Sequence, residues 1–207
     1  MTTKPPEEGE LWEWRAFGRV SESLSALVCS HPVRMGLAGQ SGEDIYFVSP
    51  TSDQNVKLRR WGGEWVLKFK LLLATADNSM ELYSETSKML FFFPVPGAVL
   101  YRAAQLLDVS LESGPAEDAE LTDQLFIDSL AASHPPAVRV DVAKTRSQYD
   151  LDGGWVEIAD VTFPSRRVQS LSIHSPDLES VKNLLSVLQP GPELEAMNYV
   201  EACRRWA

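Results

Sequence analysis

Cysteine is scarce in this 207-residue chain: there are two, Cys29 and Cys203, near opposite ends. No CxxC pair exists and the three histidines, His31, His134 and His174, are scattered. Neither a disulfide framework nor a zinc site has a foothold. Long apolar runs are also missing. "LLLA" and "MLFFFPVPGAVLY" are too short or too broken by proline to span a bilayer. The polar start "MTTKPPEEGE" has no apolar stretch of the secretory kind, so the expectation is a cytoplasmic protein with no membrane partner. There is no G-x-S-x-G elbow, Walker A sequence or Rossmann glycine fingerprint, which leaves nucleophilic Ser or Cys catalysis without an anchor. Nor is there an excess of positive charge: 19 Lys and Arg stand against 29 Asp and Glu, a net charge of −10. That disfavours a duplex nucleic-acid partner, because such binding draws on cations that neutralise phosphates.

What is present is an ordinary globular composition, 44% hydrophobic and 23% charged, long enough for one sizeable core. Residues 1–10, rich in Pro and Glu, read as a disordered leader. "LWEWRAFGRV" alternates apolar and polar residues as a strand does. "SESLSALVCS" reads as a short helix, "GEDIYFVSP" as a second strand, and "SMELYSETSKMLFFFP" as holding a further one. "PVPGAVLYRAAQLLDVSL" places Val99, Ala103, Leu106 and Leu107 at helical spacing. The acidic stretch 111–136 reads as a linker, a short helix over 121–130, or both. Three strands follow, "AVRVDVAKTRSQY", "GGWVEIADVTF" and "VQSLSIHS". Then come a helix capped by Asp177 and a terminal helix, "ELEAMNYVEACRRW", in which Cys203 packs. The sum is an α+β chain of mostly antiparallel strands with helices at the margins. The six tryptophans read as core or rim packing, and Arg139, Arg166 and Arg167, near turns, as solvated.

Against the acidic background, "VKLRRWGGEWVLKFKLL" packs five cations into Val56–Leu72. Gly62-Gly63 is a two-residue hairpin signal. With the turn there, Lys57 lies opposite Lys68 and Arg59 opposite Val66. Strand alternation then sends Lys57, Arg59, Lys68 and Lys70 to one face and Val56, Leu58, Leu67 and Phe69 to the other. Like charges directly opposite one another are destabilising, so the face needs either bulk water or an anion. A solvated outer face and a phosphate-binding wall both satisfy that requirement. Further on, Lys144 and Arg146 share one face of "VAKTRSQY", and across the "DLDGG" turn Glu157 and Asp160 supply acids. Cations for phosphate oxygens beside carboxylates for Mg²⁺ or Mn²⁺ suit a metal–phosphate complex. Surface ion pairing, of little energetic weight, is the alternative.

The order of these pieces resembles the CYTH-like group of triphosphate tunnel metalloenzymes, within it an uncharacterised bacterial branch. The resemblance rests on "EWRAFG", "DIYFVSP…NVKLRRWGGEWVLKFK", "FFFPVPGAVLYRAAQLLDV", "VAKTRSQY…GGWVEIADV", "QSLSIHSPDLESVKNLLSVL" and "NYVEACRRW", in sequence over most of residues 11–206. It implies one domain over 11–207, built on an antiparallel β-barrel or half-closed tunnel-like sheet. In that group inward Lys and Arg grip a triphosphate-like ligand, and glutamates hold a divalent metal that assists attack at phosphorus. Carried over, Lys57, Arg59, Lys68, Lys70, Lys144 and Arg146 would bind phosphate. Glu157 and Glu13 would be the catalytic carboxylates, and Glu13, Glu157 and Glu81 the metal ligands.

The departures from the group bear on activity. Its first strand typically reads Glu-x-Glu-x-Lys, whereas this chain has Glu13, Arg15 and Phe17. Its late strand usually carries an acid where this one has His174, and the arginine expected just before Glu81 and Glu85 is absent. Losing carboxylates weakens the coordination a hard cation needs. Arg15 and His174 become candidate ligand contacts, with a plain surface position the preferred reading of His174. The resulting expectation is a protein that binds a tri- or polyphosphate or another phosphorylated small molecule, and hydrolyses it with Mg²⁺ or Mn²⁺ if active. The alternative is a non-catalytic phosphate-ligand or protein-interaction module without a cofactor. Whether it is an enzyme and whether it forms a homodimer are left open by the sequence.

Overall fold

The alternating segments become strands that close on themselves. In the computed structural model, which describes residues 9–84 and 89–207, they are β1 (Glu10–Gly18), β2 (Gln40–Val48), β3 (Asn55–Arg60), β4 (Val66–Ala76), β5 (Met80–Ser84), β6 (Leu90–Phe92), β7 (Val95–Pro96), β8 (Glu120–Leu121), β9 (Val138–Leu151), β10 (Gly154–Thr162), β11 (Arg167–Ser175) and β12 (Leu194–Ala196). The helices are α1 (Glu22–Cys29), α2 (Gly97–Leu107), α3 (Asp123–Ala131), α4 (Leu178–Leu188) and α5 (Tyr199–Trp206). Residues 1–8 of the expected leader, and Glu85, lie outside the described residues. Glu10, the last residue of that leader, already belongs to β1.

Eight strands pair in the order β11-β10-β9-β2-β3-β4-β5-β1, and β1 returns to pair with β11. Every junction is antiparallel, so the sheet is a closed barrel rather than a half-closed one. Closure removes the edges that an open sheet would leave unpaired. Short β6 adds to β4 and β12 to β1 outside the ring, and β7 pairs with β8 in a separate small sheet.

Two turns fix the register that matters. Across the Gly62-Gly63 turn Lys57 pairs with Lys68 and Arg59 with Val66, as the hairpin signal requires. Gly62 there has φ +79°, and Gly153, in the turn joining β9 to β10, has φ +82°, conformations that a side chain disfavours. The second turn sets Glu157 opposite Gln148.

The outward faces carry the helices. Val56, Leu58, Leu67 and Phe69 pack with Leu100, Leu107, Phe126 and Leu130 of α2 and α3. The acidic 111–136 segment thus seats α3 on the outside of the barrel. The buried stripe of α2 is Leu100, Ala103, Ala104 and Leu107, while Val99 and Leu106 only flank the core. Trp12 and Trp14 of β1 pack with α1 and α4. Asp177 caps α4 by accepting from the Ser180 amide at 2.8 Å. Arg139, Arg166 and Arg167 are exposed.

The inside divides in two along the strands. On β1, β2, β9 and β10 an apolar residue stands two positions from the inward polar side chain: Phe17 after Arg15, Tyr46 after Asp44, Val142 before Lys144, Ala159 after Glu157. These join Tyr199, Val200, Ala202, Cys203 and Trp206 of α5 in one buried cluster. The Phe17 ring meets Tyr199 and Trp206 edge-on at 5.1 and 5.6 Å, and Tyr46 stacks on Tyr199 at 5.3 Å. Cys203 is fully buried in this plug, as expected of a packing residue. The tunnel is therefore blind, floored by α5 and open toward the β3–β4 and β9–β10 turns.

Candidate functional site

Above the plug the barrel encloses a cavity of about 290 Å³. Among the described residues eight basic side chains line it, Arg15, Arg34, Lys57, Arg59, Lys68, Lys70, Lys144 and Arg146, together with the carboxylates Glu13 and Glu157. The cations of the β3–β4 hairpin and of β9 thus face one another across a common space. Glu81 lies beside it, its backbone paired with that of Glu13 across β1 and β5. Asp160, three residues from Glu157 and so on the opposite face of β10, lies on the outside. It borders a wide surface groove with Glu43, Arg60 and Arg167, away from the tunnel.

Three buried carboxylates organise the cations. Asp44, with no exposed surface, accepts from Lys144 Nζ at 2.5 Å and from Arg59 Nε at 3.0 Å. Lys57 Nζ lies 3.6 Å from it and donates to the Tyr46 hydroxyl at 3.0 Å, and that hydroxyl donates to Asp44 at 3.3 Å. Burial alone would raise the Asp44 carboxyl, but Lys144, Arg59 and Lys57 hold it well below the usual carboxylate range. Burial also depresses the lysines. Lys144 is pushed down to about 8, with Arg59 pushing the same way against the pull of Asp44. Lys57 is lowered well below an ordinary lysine by burial and, despite Asp44, by Arg59, Lys144 and Lys68.

Glu13 accepts from Arg15 Nε at 2.7 Å and from Lys70, with His174 Nδ1 at 3.5 Å. Glu157 accepts from Arg146 at 2.9 Å and from Gln148 at 2.8 Å, and Arg15 lies 3.5 Å from its other oxygen. Burial opposes ionisation of both. Lys70 and Arg15 nevertheless hold Glu13, and Arg15 and Arg146 hold Glu157, well below ordinary values. Glu81 differs. Burial and the nearby Glu13 raise it, although Asn198 and the Tyr83 hydroxyl donate to its two oxygens at 2.7 and 2.8 Å.

His174 is not a surface histidine. It is 8% exposed, stacks on Trp155 with centroids 5.1 Å apart, and shares a 2.9 Å hydrogen bond with Ser172. Burial pushes it down to about 4. The surface reading fails because Ser170 and Ser172, which share its parity, are themselves wholly buried and face the tunnel.

Aromatic rings cover the cations at both ends. The Tyr199 ring lies 4.6 Å from both Arg15 and Lys144 on the floor. At the open end Trp61 lies 4.4 Å from the Arg146 guanidinium. It reaches there by crossing Gly42, where a Cβ would come within 2.5 Å of the indole. Arg34 covers Trp155 at 4.3 Å. Its segment is held against β9 by hydrogen bonds from Arg34 N to Gln148 O and from Gln148 N to Leu37 O. The sequence reading overlooked Asp44, Gln148, Asn198, Tyr199 and Arg34.

The Mg²⁺ or Mn²⁺ implied by the resemblance asks for oxygen ligands at about 2.0–2.1 Å in octahedral array for Mg²⁺. Here each oxygen of Glu13 and of Glu81 already accepts a donor of the chain, and Glu157 carries Arg146 and Gln148 on one oxygen with Arg15 near the other. Among the described residues no three His, Cys, Asp or Glu side chains converge as a metal set. The residues present do not fit such an ion.

A closed eight-stranded antiparallel barrel with a cation-lined interior is the CYTH-like tunnel fold, and the protein has it. HpAC1 of Hippeastrum, described as a candidate adenylyl cyclase with a dominant triphosphatase activity, matches 94% of this chain and 95% of its own, with a TM-score of 0.52 at 12% identity. A candidate adenylate cyclase of Bacillus halodurans matches 94% of this chain and 98% of its own, with a TM-score of 0.52 at 10% identity. At such identities the likeness is one of fold. No family model matches the chain, and no curated protein matches it in sequence. No helix among the described residues is long and apolar enough to cross a membrane.

Proposed function

We propose that the blind tunnel binds a phosphate-rich small molecule, a tri- or polyphosphate or a compound bearing one. The observation that carries this reading is the basic lining of the cavity: among the described residues eight Lys and Arg side chains converge there beside Glu13 and Glu157, with Asp44 behind them. Burying a charge without full compensation costs several kcal/mol on an order-of-magnitude scale. Basic side chains gathered in one cavity focus a positive field that an anion of matching charge density satisfies. The cavity lies near the lower end of the range of about 300–1,000 Å³ typical of small-molecule sites. That is room for a short phosphate chain, with any attached group at the open end beside Trp61 and Trp155.

Hydrolysis is the second reading, supported by the triphosphatase activity described for HpAC1, which shares the fold. No step through a metal follows from these residues, so binding without turnover is the function we infer. Calorimetric titration with tripolyphosphate tests it: binding should weaken as salt rises, and Lys68→Glu should lower affinity at least tenfold. Unchanged affinity in that variant would sink the assigned wall. Phosphate release from tripolyphosphate in Mg²⁺ or Mn²⁺, abolished by chelator, would establish the enzymatic reading instead.

A further inference from the structure

We infer that the Arg15 guanidinium is a built-in counter-ion standing where a divalent cation would bridge Glu13 and Glu157, so that the tunnel holds its anion without a metal. This rests on the phosphate-binding reading for the ligand, and on the geometry of Arg15 alone for the exclusion of metal. Arg15 is 6% exposed and reaches both carboxylates, Nε to Glu13 at 2.7 Å and one terminal nitrogen to Glu157 at 3.5 Å. The same nitrogen donates to Ser170 Oγ at 2.9 Å, and the plane lies 4.6 Å from the Tyr199 ring. The group is thus held by contacts from four elements, β1, β10, β11 and α5.

Its neighbours complete the neutralisation. Lys70 takes the second oxygen of Glu13 and Arg146 that of Glu157. A divalent ion entering between the carboxylates would displace these donors and be set against three fixed positive charges. Arg15 and both carboxylates are nearly buried, and the low local dielectric strengthens these charge-assisted bonds. Arg15 also lines the same cavity as Lys57 and Lys144. It can therefore add to the anion's contacts as a metal would, at a fixed single charge that no chelator removes.

The test separates the metal from the ligand. Mn²⁺ titrated into the metal-free full-length protein, followed by the loss of its free-ion EPR signal, should show no stoichiometric binding below millimolar concentration. Arg15→Glu, and Arg15→Gln should the glutamate variant not fold, should gain at least tenfold in Mn²⁺ affinity. Tripolyphosphate should still bind the wild type in EDTA. One-to-one Mn²⁺ binding by the wild type at micromolar concentration would overturn the inference. So would failure of both variants to gain Mn²⁺, or tripolyphosphate binding that needs added Mg²⁺. If tripolyphosphate binds under no condition while Mn²⁺ behaves as expected, the ligand reading falls and the role of Arg15 stands.

Discussion

Lys144 donates to Asp44 at 2.5 Å inside the barrel, and Asp44, with no exposed surface, is the common counter-ion of three basic side chains drawn from two strands. The carboxylate is the electrostatic keystone of the half of the tunnel nearest β2. Without it Lys57, Arg59 and Lys144 would face one another from β3 and β9 with only the weaker pull of Glu157 on Arg59 and Lys144. Asp44→Asn should therefore destabilise the protein by about 3–5 kcal/mol, the scale for breaking one partner of a buried pair. The check is denaturant unfolding with and without tripolyphosphate. The anion should restore more stability to the variant than it adds to the wild type. A loss under about 1 kcal/mol, the scale of an exposed pair, would mean that the three cations are satisfied elsewhere.

How much of this could be read from the residues depends on parity. The two turns with glycine at positive φ fixed the β3–β4 and β9–β10 registers, and register decides which side chains share a face. Lys57, Arg59, Lys68, Lys70, Lys144, Arg146 and Glu157 were therefore placeable on common faces before any fold was known. Asp44 was not. Both faces of β2 are buried, Ile45 and Phe47 against α2 and α3, Tyr46 and Val48 against α5, so its alternation is hidden. His174 was misplaced for a related reason: a polar tunnel inverts the rule that polar residues face outward. Tyr199 enters from a distant terminal helix, and no local pattern announces a helix that plugs a barrel. Closure by the β1–β11 pairing is likewise a long-range event, joining strands from opposite ends of the chain.

His174 makes the stability of the free protein sensitive to acid. Its ordinary value is 6.5, and burial pushes it to about 4, with Arg15 and Lys70 pushing the same way against the pull of Glu13. The unfolded chain thus takes up this proton near 6.5 and the native one only near 4. The imidazole's share of stability is fully present above pH 6.5 and is lost as the pH falls to 4. The loss totals about 3 kcal/mol, since each pH unit between those two values is worth roughly 1.4 kcal/mol. His174→Gln removes this contribution. The stability difference between wild type and variant, from urea titrations at several pH values, should move in the variant's favour by that order between 6.5 and 4. A pH-independent difference would show that the ring is already protonated within the fold.

Anion binding should also draw protons into the tunnel. Lys144 sits at about 8 in the free protein because burial disfavours its charge and Arg59 repels it, while Asp44 pulls the other way. A bound polyphosphate supplies further negative charge beside the ammonium and moves it back toward the ordinary lysine value of 10.5, since a nearby opposite charge favours the charged form. At pH 9 the free lysine is mostly neutral and the complexed one mostly charged, so binding takes up close to one proton at this site. At pH 7 Lys144 is already charged in both states and contributes almost nothing. Calorimetry of tripolyphosphate binding in buffers of different ionisation enthalpy reads the proton count directly. The comparison is between wild type and Lys144→Gln, because the ligand's own titration is common to both. Wild type should take up more protons than the variant at pH 9 and the same number at pH 7. Equal counts at pH 9 would mean that the anion does not come within reach of Lys144, and would move the ligand toward Lys68, Lys70 and the open end of the tunnel.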